Sequence, residues 1–295
     1  MRGRLFTRKA VLQSSRLQRC PSVHIQSSNE ATLSPIEYLN GQAHSHHARL
    51  ISFTGEVAIY GVRPPSPSGA PVPEIILEVR RLVNTVSVKE RVPVLLPAFC
   101  AERHINPDGS FCLYWGEVEN SKIASPAEAE AWWGKVLTFI LRQRSASARR
   151  RWPGKGDARA HGSAAARFQA LAESNAAALG PRFLDTLRDG RLRSKRRGAN
   201  RLALLRDGRR LFTVLEDETR VMSLRQRCKC DDADNLRLPI ASCGSHRRHL
   251  AELVINLAGW DRSERAFYDY LRSINQTCCG TMDDCPFAAA QKESA

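Results

Sequence analysis

The chain has 295 residues, 45 Lys+Arg against 30 Asp+Glu, and a formal net charge of +15 at pH 7. Its hydrophobic fraction of 42% supplies a core and excludes a wholly disordered chain. No apolar run reaches the roughly 20 residues of a membrane-spanning helix, since the best one, Leu250–Leu257, is short and carries Glu252.

The positive charge points to an acidic partner or to an arginine-rich composition. No nucleic-acid-reading motif accompanies it, so nucleic acid stays an alternative partner and not the favoured one. Nine cysteines, an odd number without a secretory segment, fit the reducing cytoplasm better than a complete disulfide framework.

Residues 1–34 read as a basic flexible arm. Met1 to Asn29 hold no acidic residue, and Arg2, Arg4, Arg8, Lys9, Arg16 and Arg19 are scattered among Ser, Gln and Leu. A mitochondrial transit peptide, a basic arm and an overextended start codon share this composition. Ser34 is placed to cap a short helix that begins at Pro35.

Residues 35–190 read as a core with a helical extension, opening on a sheet. Ile51, Phe53, Val57, Ile59 and Val62 alternate up to Pro64-Pro65. Ile75, Leu77 and Val79 follow, then Val86, Val88, Val92, Val94, Leu95 and Leu96, ending at Pro97. Short β-branched runs bounded by Pro, Gly and Ser predict three or four antiparallel strands, with a loop over Ser66–Pro73. Cys100 reads as core at a strand end.

Pro107-Asp108-Gly109 then makes a tight turn, and Phe111 and Leu113 anchor the chain inward, leaving Cys112 on an irregular segment. A thiol there is open to a large substrate. Its thiolate is the nucleophile, and local positive charge is expected to lower its pKa. The other reading of Cys112 is a small buried hydrophobe.

Gly109-Ser110-Phe111-Cys112-Leu113 after a meander sheet resembles the ubiquitin-conjugating enzymes, and most of all their diverged bacterial branch. That family carries His-Pro-Asn, a short turn and Gly-x-Ile-Cys-Leu. The resemblance runs from about Leu50 to Ala146, roughly a third of the chain. It implies an α+β fold: a ubiquitin-conjugating-like core of antiparallel meander sheet and helices, here followed by a helical extension and a small Cys-rich C-terminal region. It also implies that Cys112 carries a ubiquitin-like protein as a thioester, received from an activating enzyme and passed to a lysine of an acceptor protein. ATP would be consumed by the partner, and this chain has no Gly-x-x-x-x-Gly-Lys-Ser/Thr phosphate loop. His104 stands where the family carries its asparagine, and Asn106 only imitates the tripeptide. A histidine there either steadies the oxyanion formed on amine attack or braces the turn.

Ser125-Pro126-Ala127-Glu128 starts a helix that runs through Trp132, Trp133, Val136 and Ile140, with both tryptophans as core anchors. Trp152, in the basic run Arg149–Asp157, folds inward, stacks on nucleic acid, or marks a face that docks an acidic protein. His161 precedes an Ala-rich helix over Ala164–Leu179, with Ala164, Phe168, Leu171 and Ala172 on one stripe that Asn175 weakens. Asp157 and His161 are candidates to approach the thiol. Gly180-Pro181 stops that helix, and a further helical turn follows at Phe183–Leu187.

Arg188–Arg201 reads as a basic linker. Residues 191–295 then read as a region of hairpin and helices: a hairpin over Leu202–Leu215 turning at Asp207-Gly208, and helices at Arg248–Asn256 and Ser263–Ile274. Cys228, Cys230, Cys243 and His246 supply four ligands for a tetrahedral structural zinc. The same cysteines also read as unrelated thiols, and Cys278, Cys279 and Cys285 as ligands from elsewhere or as part of a redox pair. Two other functions compete with conjugation: a cysteine peptidase pairing Cys112 with a histidine such as His161, and a basic, zinc-containing nucleic-acid-binding module.

Overall fold

The structure is a computed structural model that describes residues 33–65, 72–115, 118–153, 159–234, 238–283 and 285–288. Most of the predicted arm, up to Thr32, lies outside them, as do residues 66–71 of the predicted loop and Gly154–Asp157 of the basic run.

The first helix, α1 (Pro35–Gln42), begins where Ser34 predicts. Glu37 N–H donates to Ser34 Oγ at 3.4 Å, and Ser34 N–H donates to Glu37 Oε2 at 2.6 Å, closing a capping box. Strands β1 (Ala48–Phe53), β2 (Val57–Val62), β3 (Ile75–Arg81) and β4 (Val86–Glu90) pair antiparallel in chain order, the predicted meander. One part of the prediction is corrected. Val92–Leu96 is not strand, and Val94 is 77% exposed. The buried Glu90 carboxylate accepts the N–H groups of Leu95 and Leu96, each at 2.9 Å, and turns the chain out of the sheet.

Helix α2 (Pro126–Arg149) closes one face of this sheet with Trp132, Trp133, Val136 and Ile140. Trp133 meets Tyr60 edge-on at 5.1 Å, and its indole N–H donates to the Leu39 carbonyl at 3.0 Å.

A second core holds helices α3 (Ser163–Leu179) and α4 (Pro181–Arg188), strands β5 (Leu192–Gly198), β6 (Arg201–Arg206), β7 (Arg209–Leu215) and β8 (Arg220–Val221), and helix α5 (His246–Ser273). Its four strands again form an antiparallel sheet in chain order. The Asp207-Gly208 turn is as predicted, with both residues left-handed (φ 50° and 77°), the backbone that a two-residue hairpin requires.

Three expectations fail in this half. The basic linker is strand β5. Among the described residues it pairs only with β6, and on an edge strand exposed Arg193, Lys195 and Arg197 cost nothing and discourage pairing with other chains. The buried face of α3 is Ala165, Gln169, Ala172, Asn175, Ala176 and Leu179, while Ala164 and Leu171 are exposed. Asn175 belongs to that face because its Oδ1 lies 2.9 Å from His249 Nδ1 on α5. The two helices predicted from Arg248 and Ser263 are one. Gly259 does not break α5 but makes room for Phe168, whose ring an added Cβ would approach to 2.7 Å.

The far end of α5 returns to the first core. Tyr268 and Leu271 pack there, together with Met282, Cys285 and Phe287 of the segment that follows.

The α3–α5 contact yields a test. Gly259→Val gains a few tenths of a kcal/mol in helix propensity, but overpacking at such a site costs about 1–3 kcal/mol. Urea denaturation should therefore show a net loss of about 2 kcal/mol, and a neutral variant would mean that the Phe168 ring moves aside freely.

Candidate functional site

After β4 the chain enters a compact loop. Cys100 and Ile105 exchange backbone hydrogen bonds at 3.1 and 3.0 Å, with a single tight helical turn, Ala101–Arg103, between them. His104 ends that turn in the left-handed region, φ 55°. The Asn106–Gly109 turn follows, closed by Gly109 N–H to Asn106 O at 2.9 Å, with Gly109 at φ 81°. Phe111 then docks on β4 through its N–H to Val88 O at 2.8 Å, and its buried ring stacks on Phe139 at 4.5 Å. Cys112 N–H donates to His104 O at 2.9 Å. The structure thus brings the two predicted catalytic residues together, as partners in one backbone bond.

The thiol lies in a cleft of about 400 Å³, lined among others by His104, Leu113, Trp115, Glu119, Lys135, Arg142, Trp152 and Arg159. Trp152 folds inward, as one of its three readings holds. It is buried 5.1 Å from the His104 ring, and its indole N–H has no hydrogen-bond partner among the described residues. His161 also packs against His104, 4.9 Å between ring centres. His161 lies on Phe267 at 5.6 Å and reaches Glu102 with Nε2 at 3.7 Å, and Tyr268 donates its hydroxyl to the same carboxylate. His161 therefore supports His104 from the second half of the chain. Asp157 is outside the described residues.

The electrostatics overturn one expectation. Local positive charge does not lower the Cys112 thiol. Burial pushes it up to about 11, and the charge of Glu119 adds to this. Burial takes the His104 imidazole down to about 3, with the neighbouring His161 acting in the same direction and Glu102 against it. At neutral pH the pair is a thiol and a neutral imidazole, which keeps one N–H to donate.

Glu119 was missed from sequence. Its carboxylate bridges Lys135 at 3.0 Å and Arg159 at 3.2 Å, and Lys135 also lies over the Tyr114 ring at 3.8 Å. Ala131, Gly134, Lys135, Thr138 and Arg142 recur at helical spacing on the cleft-facing side of α2. That stripe reads as an ordinary solvent face, so composition could not single it out.

In the second core, Cys228, Cys230, Cys243 and His246 come together as predicted, their ligand atoms all within 4.8 Å of one another. Cys230 and Cys243 sulfurs are 3.7 Å apart. His246 Nδ1 lies 3.7 Å from Cys228 Sγ and 3.1 Å from Cys243 Sγ. A tetrahedron with Zn–S bonds of ~2.3 Å has S···S edges of about 3.8 Å, so the donor set fits. His249 is not part of it. Cys278, Cys279 and Cys285 are not either, since they pack against the first core.

Residues 46–154 match the family described as a prokaryotic E2 domain, and residues 160–287 match a cysteine-rich domain C-terminal to E2 domains. No curated protein and no solved structure matches the chain.

The raised thiol has a direct readout. Alkylation of Cys112 by iodoacetamide, followed on its own peptide by mass spectrometry, should quicken about tenfold per pH unit from pH 7 to 10. Glu119→Gln should shift that profile to lower pH. A plateau below pH 9 would show that the thiol is not raised.

Proposed function

We propose that this chain, a member of a diverged bacterial E2-like family, carries a ubiquitin-like protein as a thioester on Cys112 and passes it to the amine of an acceptor lysine. The observation that carries this reading is the coupling of Cys112 to His104 at the mouth of an open cleft, at the end of the meander of an E2-type domain. The Cys112 sulfur attacks the thioester carbonyl presented by an activating enzyme, whose own thiol leaves. An amine then attacks the new thioester, an amide forms, and Cys112 departs and recovers a proton. The amine's attack places negative charge on the carbonyl oxygen, and the neutral His104 imidazole has one N–H to offer it.

A peptidase needs a thiolate paired with an imidazolium. Here the thiol is pushed up to about 11 and the imidazole down to about 3, opposite to that pair. His161 packs against His104 and binds Glu102, which occupies the histidine the peptidase reading would use. The transferase reading is therefore the better supported. Cytoplasmic location goes with it. Among the described residues no helix is long and apolar enough to cross a membrane.

The four-ligand cluster holds a structural zinc in this reading. It joins the stretch after β8 to the first turn of α5, and metal binding there contributes directly to folding.

With an activating enzyme, ATP and the ubiquitin-like protein, the wild-type chain should give an adduct that a thiol reductant removes. Cys112→Ala should give none, and an adduct on that variant would move the nucleophile to another cysteine. His104→Ala should load normally but discharge to lysine about 10²–10³-fold more slowly, the usual cost of one oxyanion donor.

Elemental analysis should find about one zinc per chain, as a single tetrahedral site requires. Cys230→Ser should lose the metal and melt at a lower temperature. A metal-free protein with an unchanged melting curve would rule the site out.

A further inference from the structure

Among the described residues, the cysteines that neither site uses gather elsewhere. Cys100 is buried at the start of the loop that carries His104, and its sulfur lies 2.9 Å from that of Cys279, in the segment after α5. This contact joins the two halves of the chain.

Other bonds from this loop and from the end of α2 hold the C-terminal segment in place. Arg103 Nη1 donates to Thr281 Oγ1 at 3.4 Å. Arg150 donates to Asp283 at 2.8 Å and to Gly280 O at 2.9 Å, and its carbonyl accepts Asp283 N–H at 2.7 Å. The sulfurs are therefore kept in contact by the fold around them. Cys279 also collects donors: Thr281 Oγ1 at 3.1 Å and Thr281 N–H at 3.5 Å.

We propose that Cys100 and Cys279 are an oxidation site, a thiol pair that hydrogen peroxide closes into a disulfide, fastening the C-terminal segment to the His104 loop.

Thiolate character decides which cysteine reacts first. The hydrogen bond that it shares with Cys100, assisted by Thr281 and by the Arg103 charge, holds Cys279 well below the ordinary thiol range. Cys100 is pushed up by the same hydrogen bond and by burial, so the shared proton stays on it. Cys112, at about 11, is protonated and slow to react. Oxidation thus falls on Cys279 and spares the nucleophile.

The step balances. The Cys279 thiolate attacks one peroxide oxygen, the O–O bond breaks, and hydroxide leaves, giving a sulfenic acid. The Cys100 sulfur then attacks Cys279 Sγ, the S–O bond breaks, and water leaves with the Cys100 proton. Two thiols lose two electrons in all, and one hydrogen peroxide becomes two waters.

The test uses the full, reduced chain. After brief treatment with equimolar hydrogen peroxide it is denatured in N-ethylmaleimide, digested and analysed by mass spectrometry. A reductant-cleavable peptide joining Cys100 to Cys279 is expected, with Cys112 carrying N-ethylmaleimide. Peroxide should raise the melting temperature of the wild type but not of Cys279→Ser. In Cys100→Ser, Cys279 should stop at a sulfenic acid that dimedone traps. The proposal is overturned if Cys100 and Cys279 both return labelled, if Cys278–Cys285 links in their place, or if Cys112 oxidises first. It also falls if Cys279→Ser lowers the metal content, because these thiols would then be ligands.

Discussion

An arginine taken out of water keeps its charge, and the interior tolerates it only where its donors are met and negative charge is near. Arg103 is 2% exposed. Its Nε donates to Gln143 Oε1 at 2.7 Å, and its Nη2 to Gln143 O at 3.1 Å and Ser147 Oγ at 2.8 Å. Gln143 returns a bond to the Arg103 carbonyl at 2.5 Å. Burial lowers the pKa of this guanidinium, and the charge of the Cys100–Cys279 pair works against that lowering. One side chain thus binds the loop after β4, helix α2 and the C-terminal segment, pieces far apart in sequence. The next residue, His104, is held in the left-handed backbone region that side-chain-bearing residues seldom adopt, between anchored Arg103 and buried Ile105. That backbone places the His104 carbonyl opposite the Cys112 N–H.

The Cys112–His104 pair held this way is uncharged at neutral pH. The same burial raises Cys112 and depresses His104, because each then avoids carrying a charge where water is scarce. For the histidine the sign follows directly. Its folded pKa is below the unfolded one, so the stability it contributes is present above about pH 6.5 and is lost as pH falls toward 3. For the thiol, burial disfavours the thiolate but not a thioester, which is uncharged. The environment that makes Cys112 a reluctant nucleophile alone is therefore well suited to holding an acylated sulfur. In the proposed transferase reading, a docking partner that brings its own thioester carbonyl, and a group to take the proton, removes the remaining obstacle.

The parts of this architecture that were legible in the sequence are those set by local rules. Ser34 and Ser125 cap their helices through bonds to residues three positions on, and Asp207-Gly208 encodes its own turn. The Cys–His spacing around Cys228 and His246 was readable because four soft ligands so close in sequence have few ways to be arranged. What escaped depends on contacts between distant segments. Helix α5 read as two helices, and Phe168, which packs at Gly259 between them, is far away in sequence. Asn175 looked like a flaw in its stripe for lack of the His249 partner. The polarity of Arg193, Lys195 and Arg197 hid an edge strand, since an edge needs only one neighbour. The sign of the Cys112 shift could not be read from the arginines nearby in sequence. It depends on burial and on Glu119, which Lys135 and Arg159 hold in place.

Helix α5 gives the two centres a common mechanical element. Its 28 residues extend about 42 Å at 1.5 Å per residue. His246, the last metal-site residue, occupies its first turn; Leu250, Leu253, Val254 and Leu257 hold the second core; Phe267 and Tyr268, near the other end, meet His161 and Glu102 behind His104. Among the described residues from Met222 to Ser245 there are only short single-turn helices and few buried apolar groups beyond the cysteines and Ile240. Chain with so little apolar burial gains little from packing alone, so in the proposed zinc-bound reading cross-linking its ends at the four-ligand cluster is what fixes where α5 begins. A helix fixed at its start and packed along its length also sets where its far end lies. The support behind His104 therefore depends on a cluster in the other core, which gives a physical reason for the cysteine-rich half to follow the E2-type half in the same chain.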